Sequence, residues 1–281
     1  MKRIGYVDCK LDNFHANVYH RLLRGDVKER GWDVAKCWAL DEEGGRKWAA
    51  EKGVAYAADV KELADCDAIM ILAPSNPEVH LKLAELAFPL GKPTYVDKTF
   101  APDSRTAARI FTLADAHQVP VITTSALRCA ASLNKLTGEL GKDKIRHMRT
   151  FGGGSSFDEY VIHPLEMLIA AMGPEVTAVM RLSDGANHHE LHLAFSGGRT
   201  GSVFVHANGK CSFQAVVTTD EKTQYVDTGA DPIFRDLTLF ILDFFESGKA
   251  CIDRRESLAL FKVLDAAREP QAMGRFLKLV Y

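Results

Sequence analysis

Two short stretches of this chain carry residue types that could do acid–base chemistry. The first is Asp97-Lys98-Thr99, which follows the strand-like Tyr95-Val96 and precedes Ala101-Pro102-Asp103-Ser104, a helix start with Asp or Ser placed to cap. Lys98 therefore stands where a buried strand ends and a helix is about to begin, and in open α/β sheets that edge is where ligands bind. An ammonium partly withdrawn from water there loses its proton more readily, which makes Lys98 a candidate acid and base. The second stretch holds Glu159, His163 and Glu166, spaced four and three residues apart, so all three share one face if a helix begins early enough. An imidazole set near a lysine and a carboxylate can take a proton from a hydroxyl or return it. Each stretch also has a plainer reading, Lys98 as a solvated turn residue and the Glu-His-Glu set as the charged side of an ordinary helix.

The elements that must position these residues follow from hydrophobic periodicity. Residues 3–7, 32–40, 68–73, 94–96 and 119–123 read as strands, and residues 13–23, 41–52, 77–90 and 103–117 as helices, with Gly53 and Gly91 as stops and a helical turn at 60–64. The run Ala68-Ile69-Met70-Ile71-Leu72-Ala73 is apolar throughout, as in a parallel strand buried on both faces. These strands, alternating with helices over the first ~125 residues, predict a doubly wound parallel sheet of the Rossmann type. From Ile145 onward strands follow one another, at 145–151, 176–182, 189–195, 202–206 and 211–218, with turns at Ser196-Gly197-Gly198 and Asn208-Gly209, the latter a hairpin signal. Helices are expected at 161–172, 233–246 and 256–267. The fold class is therefore α/β, a Rossmann sheet in a domain over 1–125, followed over 126–281 by an α+β domain with a mainly antiparallel sheet covered by helices on one face.

Composition narrows the function classes. With 281 residues, 47% hydrophobic and 26% charged, the chain can build two real cores. A formal net charge of -2, with no basic run longer than Arg254-Arg255, argues against nucleic acid and anionic membranes as partners. The six cysteines stand singly, with no metal-type pairing, and read as thiols of a reducing cytoplasm. Asp8, Lys10 and Asp12 interrupt any apolar core of a signal peptide, and no apolar run approaches the ~20 residues of a membrane helix. A small-molecule substrate and copies of the chain itself are the expected partners.

The ordered motifs resemble the Gfo/Idh/MocA family of glucose-fructose oxidoreductase and inositol dehydrogenase, along nearly the whole chain. Ala73-Pro74-Ser75-Asn76-Pro77-Glu78-Val79-His80 is similar to the family's Thr-Pro-Asn-x-x-His turn, Asp97-Lys98-Thr99 to its Glu-Lys-Pro motif, and Glu159 to Glu166 to its Asp-x-x-x-His-x-x-Asp segment, after the Gly152-Gly153-Gly154 loop. The resemblance implies NAD or NADP as cofactor and a sugar, polyol or related hydroxy compound as substrate. It makes Lys98, His163 and Glu159 catalytic, with Lys98, Arg128 and Glu166 against substrate. It assigns the cofactor to Asp8, Lys10, Asn13, Ala73, Pro74, Asn76, His80 and Asp97, and it implies a homo-oligomer through the second-domain sheet. Thr99 replaces the family's proline, so a cis peptide is not assumed there.

The departure lies at the first turn. The three glycines of the dinucleotide fingerprint would fall on Asp8, Lys10 and Asn13, none of them glycine, and Gly5 lies inside the strand. A carboxylate at position 8 about 4 Å from a phosphate would cost roughly 4 kcal/mol at an effective dielectric near 20, which Lys10 would partly offset. The acidic residue for the adenosine ribose is replaced by Ala39, with Asp41 two residues late, and His15 corresponds to a histidine of the family's first helix. Two other readings follow. One is a sugar-binding or partner subunit that has lost the dinucleotide. The other is a metal-dependent lyase built on His188, Glu190 and His192, with His189 and His206, although such a row is more simply a solvated sheet face. Trp32, Trp38 and Trp48 are expected in core or interdomain packing and Phe240, Phe244 and Phe245 in a helix core, while Arg128 has a plainer reading as a surface cation.

Overall fold

A computed structural model describes residues 1–183 and 187–280, divided into two units, one of Met1–Thr124 with Phe234–Asp253 and one of Ser125–Ile233 with residues 254–280. The first unit alternates as predicted. Its elements are β1 (Lys2–Asp8), α1 (Phe14–Arg24), β2 (Trp32–Ala39), α2 (Glu42–Lys52), β3 (Ala55–Tyr56), β4 (Ala68–Ile71), α3 (His80–Ala87), β5 (Thr94–Val96), α4 (Ser104–Ala116) and β6 (Val121–Thr123). The six strands are parallel in the order β3-β2-β1-β4-β5-β6, that of a Rossmann sheet. Strands β4, β5 and β6 are buried along their whole length, which is why they read as unbroken apolar or β-branched runs. Asn13, Asp41 and Asp103 cap α1, α2 and α4 by accepting from the amides of Ala16, Gly44 and Thr106. The helix expected over 77–90 is shorter: α3 is flanked by 3-10 turns at Pro77–Val79 and Phe88–Leu90, because Pro89 has no amide to donate and Gly91 turns left-handed at φ 68°.

The second unit comprises α5 (Ala131–Leu140), β7 (His147–Gly154), α6 (Phe157–Tyr160), α7 (Ile162–Met172), β8 (Val176–Ser183), β9 (His188–Phe195), β10 (Thr200–Ala207), β11 (Gln214–Thr218) and β12 (Thr223–Asp227). After α8 (Ile233–Ser247) the chain adds α9 (Arg254–Arg268) and β13 (Leu277–Lys278). The seven-stranded sheet runs β12-β11-β7-β10-β9-β8-β13 and is antiparallel except for β7 beside β10. Helices α7 and α9 cover one face, α7 against β7 and β10 and α9 against β8. The turn at Ser196-Gly197-Gly198 joins β9 to β10, both glycines having positive φ.

The hairpin expected at Asn208-Gly209 does not form. Strands β10 and β11 lie on opposite sides of β7, and the connection between them crosses that strand. The crossing needs bare backbone: a Cβ on Gly153 would come 3.0 Å from Cys211 and 3.1 Å from the Gly209 carbonyl. One further element departs from the 1–125 and 126–281 division. Most of α8 packs with the first unit, where Arg30 bonds Asp243 and Glu246, and the Trp32 indole donates to Glu246. Trp32 and Trp48 are core residues of that unit, as are Phe244 and Phe245, whereas Phe240 is half-buried. No helix among the described residues is long and apolar enough to cross a membrane.

Candidate functional site

In the first unit the loops after β1, β4 and β5 gather on Asp8 and Asp97. Asp8 ends β1 and is fully buried. Its carboxylate accepts from the Lys10 amide (3.1 Å) and the Asn13 side chain (2.8 Å), and also from the amide of Ala73, so one buried acid ties two loops together. Burial pushes this carboxyl above its ordinary range, and the hydrogen bonds offset that only in part. The expectation that Asp8 would confront a phosphate is corrected here: its charge lies beneath the turn, spent on the turn's own donors. Gly5 is inside the strand as expected, with Ile69 packed over it.

A dinucleotide phosphate would therefore meet side chains instead of glycines, but not a bare carboxylate. What faces outward is the exposed Lys10 and the first amides of α1, Phe14 and His15, which have no partner within the helix. Asn13 is used inwardly, capping Ala16 and bonding Asp8 and Lys10 O. The residues fit a phosphate held by one ammonium and a helix start. Ala39 is buried and Asp41 caps α2, so neither stands as the usual acid for a ribose. Ala73 is buried with a left-handed φ of 48°, Pro74 is half-buried, and Asn76 is exposed, its side chain donating to Glu78. His80 is fully buried with Nε2 2.7 Å from Leu72 O and Nδ1 3.1 Å from Phe100 O, so it braces the loops beneath the edge and presents no atom to a ligand.

Asp97, also fully buried, accepts from the Lys98 amide (2.8 Å) and the Tyr95 hydroxyl (2.9 Å), and His15 Nδ1 lies 2.5 Å from its other oxygen. Burial alone would raise this carboxyl, but the His15 charge and hydrogen bond, with Lys98 and Tyr95, more than offset it and hold it below the ordinary range. It thus acts from below as a fixed anion, without a surface for cofactor. Lys98 itself is only 8% exposed, and its ammonium has no hydrogen-bond or ion-pair partner among the described residues. The Lys98–Thr99 peptide, for which the sequence alone offered no ground to assume a cis bond, is cis.

In the second unit the three residues of the predicted Glu-His-Glu set lie on two successive helical segments. Glu159 stands on α6 and His163 and Glu166 on α7, and the two meet at Val161, whose own backbone is helical at φ -59° and ψ -28° and whose amide donates to Phe157 O at 2.8 Å. Glu159 accepts from the Ser155 hydroxyl at 2.9 Å. His163 Nδ1 is 2.7 Å from Ser125 Oγ, and the Ser125 amide donates to Glu166 Oε2, also at 2.7 Å. Glu166 is buried and its second oxygen takes Arg128 Nε at 3.0 Å, while Arg128 Nη2 lies 2.7 Å from Glu256. Glu166 and Arg128 are thus paired with each other and Arg128 also with Glu256, where the resemblance implied contact with substrate. Through Ser125 they set the imidazole, the group able to move a proton. Ser125 was missed because its partners lie 38 and 41 residues away; its place two residues past β6, at a strand's carboxyl end, was the available signal.

The His188, Glu190 and His192 row does lie on one sheet face, but Glu190 is bonded by Arg149 (3.2 Å) and His192 (3.1 Å), while His189 points to the other face, against Phe157. Among the described residues no group of three or more His, Cys, Asp or Glu side chains is arranged to hold a metal.

No protein-family profile matches the sequence, and no curated protein does. Solved structures match over nearly the whole chain. The myo-inositol 2-dehydrogenase of Lactobacillus plantarum is 16% identical with a TM-score of 0.81, covering 99% of each chain. The apo scyllo-inositol dehydrogenase of Lactobacillus casei is 12% identical with a TM-score of 0.80, covering 99% of this chain and 98% of that one. An oxidoreductase of Agrobacterium radiobacter in complex with NAD+, L-tartaric acid and magnesium is 15% identical with a TM-score of 0.76, covering 99% and 98%. At these identities the likeness is one of fold.

Proposed function

We propose that this chain, whose fold is that of inositol dehydrogenases and related oxidoreductases of the Gfo/Idh/MocA family, is an NAD- or NADP-dependent oxidoreductase. Its substrate on this reading is a hydroxyl-bearing carbon of a sugar, polyol or related small molecule. The observation that carries the reading is Lys98, a nearly buried ammonium at the carboxyl end of β5 that feels the charge of Asp97 but makes no direct hydrogen bond or salt bridge among the described residues. Such a group is costly unless a ligand oxygen completes it. Lys98 would hold the reacting oxygen, and His163, set by Ser125, would take the hydroxyl proton or return it. The nicotinamide, when bound, would accept or supply the hydride, with its phosphates held by Lys10 and the start of α1 and its remaining length beside Pro74 and Asn76. A cytoplasmic homo-oligomer using the open face of the second unit's sheet completes the proposal.

A second reading, a sugar-binding protein without dinucleotide, is favoured by the Asp8 and Asn13 side chains that already satisfy much of the first turn. Calorimetric titration with NADH and NADPH separates the two. Micromolar binding followed by turnover of a hydroxy compound that Lys98→Met abolishes supports the enzyme. Absence of binding to millimolar concentration, or a fully active Lys98→Met protein, removes it.

A further inference from the structure

We propose that a groove running along α1 is an anion site that takes a phosphate monoester, its phosphate on Arg21, Lys52 and His20 and its apolar group on Phe14 and Val18. The inference is independent of the oxidoreductase reading above, and every residue in it belongs to the first unit.

The groove has a volume of about 770 Å³, the size of a small-molecule site, and runs from Phe14, the first residue of α1, to Gly25, just past its end. At 1.5 Å per residue that span is roughly 16 Å. Lys52, the last residue of α2, lines the far end. Crossover helices run back against the strands of a parallel sheet, so the carboxyl ends of α1 and α2 lie at its amino edge, away from the loops of Asp8, Lys10 and Asp97.

Helix carboxyl ends attract cations on their own account, and Arg24 is used in that way. It donates to both Asp33 oxygens, at 2.9 and 3.1 Å, and to the Lys52 carbonyl at 2.8 Å. Arg21 and the Lys52 ammonium are different, since neither has a hydrogen-bond or ion-pair partner among the described residues. None of the described residues that line the groove is acidic.

His20 adds a directional contact. Its ring packs edge-on against Trp48 with centroids 5.7 Å apart, and its Nε2 is buried without a hydrogen-bond partner. A buried polar atom left in that state costs free energy, which a ligand oxygen in the groove would recover. Burial and the Arg24 and Lys52 charges push the imidazole below its ordinary range, opposed by Asp33 and the Lys52 carbonyl. An anion among these cations shifts the balance toward the charged ring, which can then donate from Nε2. A guanidinium fork, an ammonium and an imidazole together suit a phosphate dianion better than a single carboxylate. The other end of the groove is apolar: Phe14 is 63% exposed, and Val18 stands one turn along between it and Arg21. An ester carrying an apolar group therefore fits better than inorganic phosphate.

The test titrates the full chain with phenyl phosphate, inorganic phosphate and benzoate, read by calorimetry and by the His20 ring signals in NMR. Phenyl phosphate should bind about tenfold more tightly than benzoate and about threefold more tightly than inorganic phosphate, and it should move the His20 titration upward. Arg21→Met and Lys52→Met should each weaken it by about tenfold, and Phe14→Ala should remove its advantage over inorganic phosphate. Lys10→Met, at the proposed cofactor phosphate site, should leave the His20 response intact. Absence of binding at ~10 mM, benzoate binding as tightly, an affinity unchanged by Arg21→Met and Lys52→Met together, or a His20 signal indifferent to the ligand would each overturn the proposal. A His20 response in a protein that ignores NADH and NADPH leaves this inference standing and overturns the oxidoreductase reading. NADH binding with no His20 response to phenyl phosphate does the reverse.

Discussion

Arg128 offers the sharpest test of how the second unit holds its imidazole. Its guanidinium sits between Glu166 on α7 and Glu256 on α9, at 3.0 and 2.7 Å, with side-chain exposures of 15% for the arginine, 7% for Glu166 and 19% for Glu256. Arg128→Met keeps most of the volume but strands two carboxylates. Breaking a buried pair by removing one partner costs about 3–5 kcal/mol. The Glu256 contact is partly solvated and adds little, so about 3 kcal/mol is expected for the whole change. With a urea slope of about 2 kcal/mol/M, the transition of this unit should begin about 1.5 M earlier. Far-UV circular dichroism would follow the transition, and hydrogen exchange read by peptide would locate the loss in α7 and α9. The tryptophans report elsewhere, since Trp32, Trp38 and Trp48 all lie in the first unit. Adding Glu166→Gln and Glu256→Gln to Arg128→Met should restore most of the loss, because the uncompensated charges are then gone while the side-chain carbonyl left at position 166 can still accept from the Ser125 amide. A single variant whose transition moves by less than about 0.3 M would refute the reasoning and class these contacts with surface pairs of negligible worth.

Two further outcomes follow from the first unit. Asp97 is held below its ordinary range, so it contributes stability that is whole above about pH 4 and is lost as pH falls through its folded value. Parent minus Asp97→Asn stability, measured by urea titration at a series of pH values, should therefore shrink on acidification below about pH 4, and a difference independent of pH would contradict the ionised assignment. Burial pushes the Cys37 thiol up to about 12 and the Cys66 thiol up to about 11, whereas Cys251 is exposed. Alkylation at mild alkaline pH, read by peptide mass, should label Cys251 well before either; comparable rates at Cys37 would show that the sheet opens on the labelling timescale.

Much of the local architecture was legible from the sequence because it depends on neighbours in the chain. The periodicity of residues 3–123 dictates parallel strands and amphipathic helices, and Asn13, Asp41 and Asp103 announce the helix starts that they cap. Lys98 could be placed at a strand's carboxyl end for the same reason. Tertiary structure decided whatever turns on partners far along the chain. The Asn208-Gly209 signal specifies a turn but not which strand follows alongside, and the bare face of β7 let the chain cross to its far side. Glu166, Arg128 and His80 have the residue types of ligand-binding groups, yet each is spent on a contact 8 to 128 residues distant, and no spacing rule reveals that. The reverse holds for Asp8, whose apparent conflict with a phosphate disappears once the strand turns its carboxylate under the loop. Sequence thus fixes which groups are available and which elements carry them, while burial and pairing across the fold decide which of them remain open to a ligand.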